Sequence, residues 1–224
     1  MKREFLKTAD GSLTIHLPDW DEQYHSKHGA IQESKHVFIK TGLHHFCKLH
    51  DVEELAILEI GFGTGLNALL TSQEAMELEK NISYDGVEAY PISFDEVKGL
   101  NYSEQLDVDA TNFLKLHEVS WEAPHKITPH FSLHKQKKFF KDIDAIHVYN
   151  LIYFDAFGAR VQPELWTQEV FKTMYCALKQ DGVLVTYAAK GSVRRAMQAV
   201  GFKVERLPGP PGKREMLRAT KTSN

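Results

Sequence analysis

Apolar positions fall along this chain in short runs and helical stripes that alternate. Residues 56–60 form a short apolar run with one acid, Glu59, inside it. Such a run suits a strand buried on both faces of a parallel sheet. An apolar-periodic stretch then predicts a helix from about Thr64 to Glu79. Residues 82–87 read as a second strand that ends at Glu88, and residues 109–117 as another helix. Residues 132–134 are the expected third strand and residues 151–154 the fourth. Pro163 suits the first turn of a helix reaching about Leu178. Asp181-Gly182 marks a turn before a fifth strand at 183–187. Residues 191–200 predict a helix closed by Gly201. Two last strands, 202–206 and 216–219, are joined by Pro208-Gly209-Pro210-Pro211-Gly212. Strand and helix alternate through the body, so the predicted fold is α/β with a doubly wound sheet.

The first fifty residues follow another rhythm. Residues 7–9 and 13–15 flank Asp10-Gly11, a favoured tight-turn pair, and predict a β-hairpin. Residues 19–34 are polar and aromatic and read as a loop with a helix start. Ser34 is the expected cap of a helix over 35–40. Gly42 then interrupts, and 43–49 resume as helix. Pro91 suits the first turn of a short helix to Val97. Residues 118–131, with Pro124 and Pro129, read as a loop or insertion. The expected organisation is an N-terminal hairpin and helical extension over residues 1–50, with the main domain over 51–224.

A length of 224 residues fits one domain with a small appendage. No apolar run approaches the roughly 18–20 residues of a membrane span. The start, Met-Lys-Arg-Glu-Phe, lacks the apolar core of a signal peptide. Cys47 and Cys176 stand far apart and suggest neither a disulfide framework nor a zinc motif, so a reducing cytoplasm is expected. His25-x-x-His28 and His44-His45-x-Cys47-x-x-His50 have suggestive spacing, yet such isolated pairs are read as surface or packing residues and no metal is expected. The net charge of -3 hides an asymmetry: residues 1–112 hold nine Lys and Arg against 20 Asp and Glu, the remainder 18 against ten. A basic half in an acidic protein fits either a surface for a polyanion or ordinary solvated charge.

Candidate chemistry begins at Gly61, Gly63 and Gly65, which follow the first strand at alternate positions and lead into a helix. Strand, glycine turn and helix build a nucleotide site at the carboxyl end of a strand. Glycine lets the ligand touch backbone and permits φ > 0. The spacing G-x-G-x-G, preceded by Glu59, differs from the dinucleotide fingerprint G-x-G-x-x-G. It resembles the S-adenosylmethionine (SAM) loop of class I methyltransferases, which have a Rossmann-like fold. An acid at the tip of the second strand, Glu88, can accept both ribose hydroxyls of an adenosine. Asp155 ends the fourth strand among Tyr153, Phe154, Phe157 and Trp166. It is the candidate catalytic residue, placed to hold a nucleophilic amine or take its proton; the plain alternative is a helix-capping Asp. Methyl transfer needs a neutral amine aimed at the methyl, so positioning and proton removal both contribute.

Further segments occur in one order: Leu58 to Asn67, Val87-Glu88, Asp155-Ala156-Phe157, Trp166-Thr167-Gln168, Gly191 to Arg195, Gly201-Phe202 and Gly212 to Leu217, with Tyr24-His25-Ser26 and Glu33-Ser34 ahead of them. Over nearly its whole length the chain resembles the methyltransferase module of MnmC, the bacterial enzyme that finishes a wobble uridine of tRNA. No oxidase half follows, which is similar to the stand-alone form of that family, MnmD. The resemblance implies SAM-dependent methylation of the amine of 5-aminomethyl-(2-thio)uridine to 5-methylaminomethyl-(2-thio)uridine. It implies that Glu59, Gly61, Gly63, Thr64, Gly65 and Asn67 cradle SAM, that Glu88 takes the ribose, and that Asp155 sits at the amine and cofactor. Tyr24 and Glu33 would lie in a segment folded over the cofactor. Arg194, Arg195, Lys213, Arg214 and Arg218, with the 135–141 lysines, would meet phosphates of the tRNA anticodon stem-loop, and Phe157 would stack on the flipped base. A separate tRNA-modifying enzyme would supply the aminomethyl group. Two departures stand out. Family members with both modules show Asp-Gly-Phe-Ala-Pro where this chain has Asp155-Ala156-Phe157-Gly158-Ala159. They carry an acid near the adenine where Lys135-Gln136 stands here. Two other readings remain: a methyltransferase or aminopropyltransferase for a small-molecule amine, and a noncatalytic RNA-binding or scaffold protein that kept the SAM fold.

Overall fold

The structure is a computed structural model and describes residues 2–222. Strands β1 (Glu4–Lys7) and β2 (Leu13–Leu17) form the expected hairpin, and β3 (Glu22–Gln23) joins β2. At its turn Gly11 has φ +87°, and the Asp10 carboxylate accepts from the Thr8 hydroxyl at 2.8 Å and the Ser12 N–H at 3.1 Å. A helical rod then runs over residues 30–49. It is α-helical at α1 (Ala30–Ser34) and α2 (His45–Leu49) and π-helical over Lys35–His44.

Two local expectations fail in this rod. Ser34 is no cap: it has helical φ and ψ of -60° and -45°, and its buried hydroxyl bonds to nothing. The helix starts earlier, after Gly29, whose φ of 135° suits glycine alone. Gly42 does not interrupt either. It lies where the rod crosses the sheet, and a Cβ there would come within 3.0 Å of Val185 and 3.4 Å of Tyr153. The residue is small so that two layers can touch, not so that the helix can stop.

The main sheet comprises β4 (Glu54–Ile60), β5 (Asn81–Val87), β6 (Pro124–Thr128), β7 (Phe131–Gln136), β8 (Tyr149–Phe154), β9 (Leu178–Thr186), β10 (Phe202–Pro208) and β11 (Glu215–Lys221). Between these strands run α3 (Leu66–Glu77), α4 (Phe94–Lys98), α5 (Tyr102–Leu106), α6 (Ala110–Glu118), α7 (Gln168–Ala177) and α8 (Gly191–Ala199). The strand order is β10-β11-β9-β8-β4-β5-β7-β6. The five central strands are parallel, while β6 pairs antiparallel with β7, β11 with β9, and β10 with β11. From β4 the chain winds out through β5 and β7, then returns to β8 and winds the other way. The direction changes between β4 and β8, so a crevice opens at their carboxyl ends.

Alternation along the strands explains the layering. Ile57, Tyr84, Leu133, Leu151 and Val185 face the rod and α3, and cluster with Ile15 of β2 and with Val37 and Phe38 of the rod. Leu58, Ile152, Leu184 and Leu217 face α7 and α8. The proline-bearing stretch read as a loop holds β6, with Pro124 at the start of an edge strand where no ladder donor is lost. The short helix after Pro91 starts later, at Phe94, where Ser93 and Glu96 form a capping box. Helix α5 was not expected at all. Pro163 opens a separate 3-10 turn, Pro163–Trp166, and Thr167 caps α7. The Asp181-Gly182 turn is a bulge within β9: pairing with β8 jumps from Tyr149–Leu178 to Leu151–Val183. Among the described residues no helix is long and apolar enough to cross a membrane.

Gly42→Val should force the rod off Val185 and Tyr153. Overpacking of this kind costs about 1–3 kcal/mol, read as a lower urea midpoint with an unchanged denaturant slope. An unchanged midpoint would show that the crossing has slack.

Candidate active site

The loop after β4 is shaped by its glycines. Gly61, Gly63 and Gly65 have φ of +89°, +50° and +73°, a region that side chains with a Cβ disfavour. The N–H groups of Gly61 and Phe62 both donate to the Val87 carbonyl, at 3.0 and 3.1 Å, which ties the loop to the end of β5. The Phe62 ring lies over Gly86, where a Cβ would approach it to 2.5 Å. His117 and Trp121 hold the ring edge-on from the other side. Glu88 follows β5 and faces the crevice. Its two oxygens accept from the Gly63 N–H at 3.1 Å and the Tyr90 N–H at 2.9 Å, and a carboxylate so held keeps lone pairs for ligand hydroxyls.

Asp155 stands one strand away. Its N–H donates to the Ile60 carbonyl at 2.9 Å, so β4 and β8 end together. The Asn67 amide donates to Asp155 Oδ2 at 2.9 Å and to Glu59 Oε1 at 2.8 Å. Glu59 is 1% exposed, and burial above all raises its pKa well beyond the usual carboxylate range, which favours its neutral form. Asp155 is half-buried. Burial first, and then the nearby Glu33 carboxylate, push its pKa to about 7, while the Asn67 bond and the Lys213 ammonium pull the other way. The result is a carboxyl group that exchanges its proton near neutrality.

The N-terminal segment closes the other side. Trp20 and Tyr24 meet the Phe157 ring edge-on, with centroids 5.8 and 5.0 Å away. Burial raises the Tyr24 phenol to about 12, so it stays neutral. Arg160 straps the segment down through the carbonyls of Trp20 and Asp21, at 2.9 and 2.6 Å, and through Glu22 at 3.2 Å. Glu33 Oε2 accepts from the Ser26 N–H at 2.8 Å, and Lys213 Nζ donates to Glu33 Oε1 at 2.5 Å. Tyr187 donates its hydroxyl proton to the Ala156 carbonyl at 2.8 Å.

Together these groups line a cavity of about 1410 Å³. Of the sequence candidates, Tyr24, Glu33, Gly61, Gly63, Thr64, Glu88, Asp155, Phe157 and Lys213 are on its wall. Glu59, Gly65 and Asn67 are not among the lining residues; Glu59 and Asn67 support Asp155 from behind. The Thr64 hydroxyl is already engaged, with His25 Nε2 at 2.7 Å and the Tyr102 hydroxyl at 3.2 Å. Burial lowers His25 to about 4, which keeps it neutral. Trp20, Glu22, His25 and Tyr187 also line the cavity. His25 lies in the Tyr24-His25-Ser26 segment that carries the resemblance, whereas Trp20, Glu22 and Tyr187 come from segments without a motif and carried no sequence signal for a site.

The basic residues need correction. Lys135 is 1% exposed and donates to the His117 carbonyl at 2.7 Å, with Trp121 beneath it; burial lowers its pKa to about 8. It is an internal strut, not a phosphate contact. Lys213 turns inward to Glu33 instead of outward. Arg218 pairs with Glu205 at 3.1 Å. Arg194 is half-buried, Arg195 and Arg214 are exposed, and none of the three lines the cavity. His25 serves Thr64, His44 pairs with Glu74 at 2.6 Å, and His50 stacks on Phe46. Among the described residues no three His, Cys, Asp or Glu side chains converge as a metal set.

A family described as S-adenosyl-L-methionine-dependent methyltransferase matches residues 110–222. The chain is 30% identical over 95% of its length to the tRNA 5-methylaminomethyl-2-thiouridine biosynthesis bifunctional protein MnmC of Leptospira interrogans, and covers 34% of that protein. It is 28% identical over 93% of its length to the MnmC of Pseudomonas syringae pv. syringae and covers 35% of it. The chain thus spans about a third of the length of these relatives. Among solved structures, MNMC2 from Aquifex aeolicus superposes with a TM-score of 0.80 at 24% identity, over 100% of this chain and 71% of that one. A probable spermidine synthase from Corynebacterium glutamicum gives 0.57 at 17% identity, over 99% and 77%. Both share the fold: the doubly wound sheet with its crevice beside β4. With the glycine loop, Glu88 and Asp155 gathered at that crevice, the chain belongs to the S-adenosyl-L-methionine-dependent methyltransferase family and is an enzyme that uses this cofactor as its methyl donor.

Proposed function

We propose that this enzyme methylates the primary amine of 5-aminomethyl-(2-thio)uridine at the wobble position of tRNA. The observation that carries the reading is Asp155, a half-buried carboxyl group at the mouth of β8 with a proton affinity near neutrality, set beside the glycine loop. The likeness to MnmC proteins over 95% of this chain supports the substrate.

The site fits the cofactor. Side chains at Gly61 and Gly63 would fill the cradle: a Cβ would meet the Asp155 carbonyl at 2.7 Å and the Tyr24 ring at 3.1 Å. Glu88 keeps free lone pairs facing the cavity and suits a ribose diol. When bound, SAM supplies an electrophilic methyl group on a sulfonium. Tyr24 and Glu33 wall the cavity from the N-terminal side, so residues 1–50 act as an extension over the methyltransferase domain at 51–224. Asp155 accepts the proton of the entering amine, which leaves the nitrogen lone pair free for transfer. Phe157, half-buried between Trp20 and Tyr24, offers a face for the flipped base. Arg194, Arg195 and Arg214 lie outside the cavity and suit the phosphates of the anticodon stem-loop. The amine must be uncovered beforehand, so a tRNA-modifying activity that releases it acts upstream, and the reaction belongs in the cytoplasm with its tRNA.

Asp155→Asn should lower kcat/KM by about 10²–10⁴-fold while leaving SAM binding, measured by calorimetry, largely intact. For the wild type, kcat/KM should rise with pH through about 7, as the carboxylate forms. The stability of ligand-free protein has the opposite slope. Unfolded Asp ionises near 3.8 while the native group keeps its proton to about 7, so the native state binds more protons between these values and loses stability as pH rises through them. Asp155→Asn should flatten that part of the Tm profile; a wild-type profile without this fall would contradict the assignment.

Substrate class is decided by offering tritiated SAM with tRNA from a strain lacking this gene and, in parallel, with a panel of free polyamines. Label should enter the tRNA at the wobble uridine. Label entering polyamines alone would sink the tRNA reading in favour of a small-amine enzyme. Affinity for tRNA should also fall steeply between 50 and 200 mM salt, by about tenfold or more per few phosphates contacted.

A further inference from the structure

The β10–β11 turn does more than connect two strands. Its backbone is closed by Gly209 N–H to the Arg214 carbonyl at 3.1 Å and by Lys213 N–H to the Pro210 carbonyl at 2.9 Å. Two prolines and Gly212, at φ +82°, fix its shape. This rigid turn delivers Lys213 into the cavity. Its Nζ meets Glu33 Oε1 at 2.5 Å and sits 3.8 Å from the centroid of the Tyr187 ring. Glu33 is 5% exposed, so its charge is buried and needs that partner. Tyr187 in turn bonds to Ala156, the neighbour of Asp155.

Several groups therefore face Asp155. Glu33 comes from α1 and Lys213 from the β10–β11 turn. Tyr187 follows β9, and Asn67 on α3 carries the neutral Glu59 of β4. Glu88 lies across the cavity, and the neutral Tyr24 and His25 line it without adding charge. The charged groups that share the cavity with Asp155 and act on it are therefore the Glu33 carboxylate, which raises its proton affinity, and the Lys213 ammonium, which lowers it.

Resting on the methyl-transfer reading above, we propose that Lys213 is a positioning residue of this site: paired with Glu33, it balances the carboxylates so that Asp155 can ionise and relieve an entering amine of its proton. Without the ammonium, two carboxyls share the pocket and one must keep its proton, as close pairs do. With it, Asp155 is free to be the base. The same cation disfavours an amine that stays protonated beside a sulfonium. The proton passes from the amine to Asp155 Oδ, then to solvent; no bond to Lys213 forms or breaks.

The test is a charge cycle read by pH profile. Lys213→Met should move the acid limb of kcat/KM up by about one unit, a shift of the size an adjacent charge produces, so activity drops about fivefold at pH 7, approaches a tenfold loss at lower pH, and recovers at pH 9. Glu33→Gln should move the limb down. The double variant should return close to the wild-type midpoint, and Lys213→Arg should match the wild type. Carbon-13 NMR titration of the Asp155 carboxyl in ligand-free protein should show the same order of midpoints. This second readout needs no substrate. Should the midpoints shift as stated while no tRNA is methylated, the substrate reading fails and the charge balance stands. Equal, pH-independent losses in all variants would overturn the inference. So would lost SAM affinity in Lys213→Met with an unmoved Asp155 midpoint, which would make Lys213 a cofactor ligand.

Discussion

One side-chain amide ties the catalytic architecture together. Asn67, in the first turn of α3, donates to Glu59 on β4 and to Asp155 at the end of β8. A buried acceptor left without its hydrogen bond costs about 1–3 kcal/mol. Removing this amide would therefore loosen two carboxyl groups at once. Glu59 is suited to its place because it is neutral: a charged acid at 1% exposure would repel Asp155, whereas a protonated one is an anchor. The acid that interrupts the first apolar strand is thus a support for the reacting acid.

A second constraint is close approach between backbones. The glycine loop sits against the β8 terminus so tightly that a Cβ at Gly61 would strike the Asp155 carbonyl at 2.7 Å. The loop also reaches across to β5, where Gly86 leaves room for the Phe62 ring. Three strand ends are thereby held in fixed relation, and the groups that follow them, Gly61, Glu88 and Asp155, need no further scaffolding to converge. Doubly wound sheets place ligands at such a point because the strands diverge there and leave a crevice no side chain fills.

What could be read from the chain follows from how local each signal is. The alternating elements, the G-x-G-x-G turn, Glu88 and Asp155 depend on contiguous residues or on strand ends, and they stand at the crevice. Features set by contacts between distant segments were illegible. Glu33 and Lys213 meet across 180 positions, and nothing near either residue announces the other. Gly42 looked like a helix breaker because its reason, the approach of Val185, lies on another element. Ser34 looked like a cap because cap residues are recognised by type, while the helix start is fixed by the geometry of Gly29. Pro124 suggested a loop, yet an edge strand tolerates a proline at its start.

The charge count misled for the same reason. The second half of the chain carries an excess of Lys and Arg, which reads as one surface for a polyanion. Four of those residues are used internally. Lys135 supports the His117 carbonyl, Lys213 holds Glu33, and Arg218 pairs with Glu205. Lys221 is 5% exposed and donates to the carbonyls of Tyr175 and Leu178. Long cationic side chains can do this because their stems pack as hydrocarbon while the head finds an acceptor. A nucleic acid can be met only by what remains on the outside, such as Lys137, Lys141, Arg195 and Arg214, all exposed. The field at the mouth of the cavity is therefore weaker than the sequence suggests, and fit to the cavity, more than bulk charge, must discriminate the reacting nucleotide from its neighbours.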